Sequence, residues 1–148
     1  MPAKFDLKYT DKDWEKKTPI VIHRAILWAI GRFFAYIIEE TKWVFPTWLA
    51  PEQVKIIPVA DAFNDYANKV CDELKAHNFR ASVDEWTDSF NKKIRNAELL
   101  KIPYILIVGE KEMWANSVSV REFVSKEQYT LSTSEFVEKL TDIVKSKK

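Results

Sequence analysis

Few residues in this chain could do chemistry, and they are scattered. Cys71 is the one cysteine, and His23 and His77 are the only two histidines. A structural zinc site needs four ligands, usually thiolates and imidazoles at short spacings. One thiol and two imidazoles far apart in sequence cannot supply such a set. Asp84, Glu85 and Asp88 crowd one short stretch. No nucleophile or histidine accompanies them, so they read as a structural or solvated group and not as an acid–base pair. Cys71 lies beside an apolar helical stripe and reads as a small core residue. His77 falls near a helix C-terminus, where a cation is favoured, and His23 reads as a structural cap or core contact. The expectation is no catalytic residue, no metal site and no cofactor.

The elements that must position any binding residues follow from periodicity. The segments 5–9 and 19–22 are short extended candidates around a polar loop and predict a hairpin. Ile26, Leu27, Ile30, Phe33, Phe34, Ile37 and Ile38 recur at three- and four-residue steps, which predicts a long helix over 23–41. Pro46 and Pro51 bracket a non-helical linker. Beyond it, strands at 54–59, 80–84 and 104–108 alternate with helices at 63–78 and 89–101. Two antiparallel strands, 117–123 and 127–131, follow, and then a helix capped by Ser132, Thr133 or Ser134. Strand–helix–strand alternation implies right-handed crossovers and a parallel centre covered on both faces. The predicted fold is α/β: a three-layer α/β/α sandwich with a five-stranded mixed sheet, preceded by a short hairpin and a long helix.

Composition sets the limits. With 148 residues, 47% hydrophobic and 30% charged, the chain suits one folded domain with a short appendage. A net charge of +1 gives no bulk basic field, so a nucleic-acid site must be a local patch. No apolar run reaches the roughly 18–20 residues of a membrane span. The lone cysteine suits a reducing compartment, and the expected location is cytoplasmic. Two counts stand apart. There are two glycines, where an average of about 7% would give roughly ten, and there are six tryptophans.

Three stretches carry a name. PIVIHRAIL followed by Arg32-Phe33, FPTWLAPEQVKIIPV, and KKIRNAELLKIPYILIVGEKE followed by SVSVR together resemble the threonyl-tRNA synthetase family of class II aminoacyl-tRNA synthetases. The first resembles the family's last catalytic signature. The other two resemble its C-terminal anticodon-binding domain. The resemblance implies that 1–50 is a remnant of the catalytic domain and 51–148 the anticodon-binding domain, packed as one unit. It also implies no enzyme activity, because the first two catalytic motifs and the zinc ligands have no counterpart here. For RNA it points to Trp86, Thr87, Lys93, Arg95, Asn96 and Arg121. Lys92, Lys101 and Lys111 lie nearby as phosphate-reading charges. The implied partner is the anticodon loop of threonine tRNA.

Departures from the family pattern suggest a second reading. Trp14, Trp28 and Trp43 replace small residues, Trp86-Thr87 replaces an Arg-Asn pair, Trp114 falls in the turn expected between the third and fourth strands in place of a glutamate or small polar residue, and Asn96 replaces a glutamate; only Trp48 belongs to the pattern. The substitutions read as an engineered variant, a scaffold for a designed protein partner. Its binding surface would be Trp14, Arg24, Trp28, Gly31, Arg32, Ala35 and Trp43, aromatic anchors edged by arginine. The plainer alternatives are indoles that shield apolar area, or a monomer with weak self-association.

Overall fold

Alternation along the strands decides the layers, because successive side chains of a strand face opposite ways. The computed structural model describes residues 1–22 and 29–147. In β3 (Val54–Pro58), Val54 and Ile56 join one core and Ile57 the other. In β5 (Tyr104–Val108), Tyr104, Leu106 and Val108 join the first core and Ile105 the second. A helix from α2 (Asn64–Ala76) brings Ala67, Val70 and Leu74 to the first core. A second from α5 (Thr133–Ser146) adds Phe136 and Leu140. On the opposite face α3 (Phe90–Leu99) brings Ala97, with Phe90 and Ile94 partly buried beside it. Helices on both faces make the expected three layers.

The sheet runs in the order β4-β3-β5-β6-β7, where β4 is Ala81–Val83, β6 is Ser117–Glu122 and β7 is Gln128–Ser132. β3 pairs parallel with both β4 and β5, setting Val54 opposite Ala81 and Tyr104. β6 and β7 add the antiparallel edge. Parallel strands buried on both faces read as continuous apolar runs, which is why YILIV at 104–108 carries so much of the fold. Tyr104 meets Phe136 edge-on, with ring centroids 5.8 Å apart.

Local chemistry fixes the ends of the elements. Ser132 is the cap of α5: its Oγ accepts the Glu135 amide at 3.3 Å, and the Glu135 carboxylate accepts the Ser132 amide at 3.0 Å. This reciprocal pair satisfies two otherwise orphan donors. Between β5 and β6 the chain forms a short helix, α4 (Glu110–Ala115), where a turn was expected. Glu112 accepts the Gly109 amide at 3.1 Å, and Asn116 closes the helix in the left-handed region.

On the first-core side of the sheet, Tyr129 donates to Glu122 at 2.6 Å and Lys139 donates to the same carboxylate oxygen at 2.9 Å. Burial together with the hydrogen bond to Glu122 pushes Tyr129 up to about 12. Burial works against charge on Glu122 and Lys139. The hydrogen bonds among the three outweigh it, lowering the carboxylate's pKa and raising the ammonium's.

The chain divides into two compact units, Met1–Tyr36 and Ile37–Lys148, so the linker at 46–51 belongs with the second. In the first unit the hairpin forms with its strands closer to the turn than expected: β1 is Tyr9–Thr10 and β2 is Lys16–Lys17. Segment 19–22 is not a strand, and Pro19 has no amide to give to a ladder. Of the helix expected over 23–41, α1 (Ile30–Thr41) is described, and 23–28 lie outside the described residues.

Candidate functional site

The segment that leaves β4 is held from beneath. Asp84 is buried, its amide donates to the Ile56 carbonyl at 2.9 Å, and its carboxylate accepts the Trp86 amide at 3.1 Å. Such an Asx-type turn orders backbone that has no ladder of its own. Lys93 completes the support. It is only 6% exposed, and its ammonium donates to the Asp84 carbonyl at 3.2 Å. At 100° per residue Lys93 shares its side of α3 with Phe90, Ile94 and Ala97. The expectation that Lys93 faces RNA is therefore corrected: this lysine ties α3 to the 84–89 segment.

The opposite side of α3 is free. Lys92, Asn96 and Leu99 recur at i, i+4 and i+7 and form one wall of a groove of about 450 Å³. Lys55, Asp84, Trp86 and Asp88 form the other. Lys92 pairs with Asp88 at 2.8 Å. Lys55 rises between apolar neighbours of β3 and contacts Ser82 at 2.8 Å and Glu52 at 3.4 Å. Trp86 is 75% exposed, an indole at the rim. Thr87 is exposed too and borders a separate recess of about 320 Å³ with Asp61, Ser89 and Lys93.

Beyond the ridge of Leu99 and Leu100, both about 70% exposed, lies a second cavity of about 430 Å³. Trp43, Phe45, Ala50, Pro51 and Ile102 line it. Its linker wall is clamped by Arg80, whose guanidinium donates to the Ala50 carbonyl at 2.9 Å and to the Trp48 carbonyl at 2.8 Å. Gln53 adds a bond to the Thr47 carbonyl at 2.9 Å. Lys101 is also used structurally, donating to the Lys42 carbonyl at 2.6 Å.

Of the residues expected to face RNA, Trp86 and Asn96 line one groove. Arg95 is exposed on the same helix and has no ion pair among the described residues. Arg121 comes from β6 and pairs with Glu98 of α3 at 2.7 Å. Lys55, Leu99 and Leu100 were missed. Lys55 carried a signal, since it occupies the β3 position that alternates with Val54 and Ile56.

For the protein-docking surface, Arg24 and Trp28 lie outside the described residues. Trp14, Gly31, Arg32 and Ala35 belong to the first unit and Trp43 to the second. Trp14 and Trp43 are 88% and 60% exposed. Among the described residues no group of His, Cys, Asp and Glu could hold a metal ion, and no helix is long and apolar enough to cross a membrane.

Residues 53–143 match the family described as the anticodon binding domain. Over 149 aligned positions the chain is 46% identical to the threonine–tRNA ligase of Staphylococcus carnosus, covering all of this chain and 23% of that protein. The ligase of Staphylococcus aureus matches to the same extent. The chain thus spans about a quarter of the length of the curated relatives it matches. Among solved structures, the RNA binding domain of threonyl-tRNA synthetase from Cryptosporidium parvum Iowa II superposes with a TM-score of 0.76 at 32% identity. That match covers 96% of this chain and 36% of the other. Histidyl-tRNA synthetase from Nostoc sp. PCC 7120 has the same fold, with a TM-score of 0.59 at 21% identity over 62% of this chain and 22% of the other. These matches lend no support to a designed surface.

Proposed function

We propose that this chain, which belongs to the anticodon-binding domain family of the threonyl-tRNA synthetases, binds the anticodon loop of threonine tRNA in the groove beside α3. One observation carries the reading: α3 presents Lys92, Arg95 and Asn96 outward, while Lys93 and Asp84 hold the facing 84–89 segment in place. An unpaired loop offers base edges and stacking faces that a duplex hides, and such loops are where proteins read RNA sequence. Asn96 supplies an amide donor and acceptor on the groove wall. Leu99 supplies an apolar face for a base, and Lys92 and Arg95 supply phosphate charge.

The chain's contribution is binding, and no step of a reaction is assigned to its residues. A designed docking surface on the tryptophans is the second reading, and the exposure of Trp43 beside the 430 Å³ cavity is what favours it. It has no relative behind it, so RNA takes precedence. Filter binding of the anticodon stem-loop of threonine tRNA against the same stem with a scrambled loop tests the proposal. Tighter binding of the matched loop, weakened by N96A, supports it. Equal binding of both loops defeats it.

A further inference from the structure

We infer that positions 14 and 43 are glycine positions of this fold, and that the natural translation product carries glycine there. The backbone is the evidence. Trp14 has φ 61° and Trp43 has φ 66°. In the left-handed region a Cβ crowds the following carbonyl; glycine is free of that clash, and a bulky residue there is an outlier.

Each position also sits in a local structure built around such a residue. At the hairpin turn, the Trp14 amide donates to the Asp11 carbonyl at 2.9 Å, and the Asp11 amide donates to the Glu15 carbonyl at 2.9 Å. This is a turn closed by a left-handed residue in a bulge, the hairpin position that calls for glycine. At the end of α1, the Lys42 amide reaches the Glu39 carbonyl at 3.3 Å, and the Trp43 amide reaches the Ile38 carbonyl at 3.2 Å. This 6→1 and 5→2 pair stops the helix with Lys42 at the usual glycine position, and the chain stays left-handed through the next residue, Trp43.

The glycines themselves point the same way. Among the described residues nine non-glycine residues have positive φ, and neither glycine does. Gly31 sits in α1 with open space where a Cβ would go, and Gly109 has an extended φ of −137°. Glycine is thus absent where the backbone asks for it, and a bulky indole stands in two of those places. Neither indole is part of the buried core.

One codon accounts for this. UGA is translated as tryptophan in some genetic codes and as glycine in others, so a glycine-coding UGA read in the wrong code writes tryptophan. The same reading stops at Trp86 and Trp114, which are exposed but have no left-handed backbone. It leaves Trp48, only 38% exposed, as a true tryptophan in the clamped linker.

The test uses the protein made by the organism that encodes it. Cleavage after Lys42 and Lys55 releases one peptide holding both Trp43 and Trp48. Sequencing this peptide by mass spectrometry is expected to show glycine at position 43 and tryptophan at 48. Tryptophan at both overturns the inference. A second measurement checks the backbone argument in the chain as written. W43G is expected to lower the unfolding equilibrium constant about tenfold, and W43A, which keeps the Cβ, less than about twofold. Equal stability of W43G and W43A overturns the conformational argument.

Discussion

Salt should weaken RNA binding by this chain only mildly, and the structure says by how much. Each phosphate neutralised on a single strand contributes about −0.7 to the slope of log affinity against log salt. Lys93 is buried, Lys55 is held by Ser82 and Glu52, and Lys101 donates to the Lys42 carbonyl, which leaves Lys92, Arg95 and Arg121 of the cations expected around α3. Three contacts give a slope of about −2, so a rise from about 50 to about 200 mM salt weakens binding roughly 20-fold. One contact would give only about threefold. Lys92 and Arg121 must each leave a carboxylate, at 2.8 and 2.7 Å, to meet a phosphate, so Arg95 contributes most cleanly. Fluorescence anisotropy of a labelled stem-loop across a salt series reads the slope directly. R95Q should flatten it by about 0.7 and K92Q by less. A wild-type slope steeper than about −4, or an R95Q slope equal to wild type, would refute the assignment of charges.

Three further predictions concern the frame that holds the site. Asp84→Ala removes the acceptor of the Trp86 amide inside a buried turn, so urea unfolding should show a loss of about 1–3 kcal/mol. S132A removes the side-chain cap of α5 and should lower stability by about 0.5–2 kcal/mol, also read by urea unfolding. The Tyr129–Glu122–Lys139 cluster makes stability fall at both ends of the pH scale. The depressed Glu122 carboxyl stabilises the fold above its unfolded value, and this is lost as pH falls through the folded value. The raised Tyr129 hydroxyl stabilises the fold below 10.0, and this is lost as pH rises towards about 12. The raised Lys139 acts in the same alkaline direction. A pH series of thermal midpoints should show Y129F flattening the alkaline fall while leaving a fall on the acid side.

Most of the sheet was legible because its strands are buried on both faces and so stand out as apolar runs. The bounds 104–108 came directly from YILIV. Segment 110–115 read as a turn because six residues are too few to show a helical period, and only the Gly109–Glu112 cap reveals the helix. The hairpin strands were displaced because exposed pairs such as Thr10 with Lys16 carry no apolar alternation to mark them. Lys93 was misread for a different reason. A charged residue suggests solvent, yet its place among Phe90, Ile94 and Ala97 on the helical wheel already put it against the sheet. Leu99 and Leu100 end α3 at the edge of two cavities, and their exposure depends on the linker's path, which sequence periodicity does not record.

The central claim rests most directly on a backbone amide NMR titration with the anticodon stem-loop of threonine tRNA at low salt. The account predicts saturable shifts gathered over residues 84–96 and the ends of α3, absent with a scrambled loop. An intact spectrum with no such shifts, or with the same shifts for both loops, would contradict it.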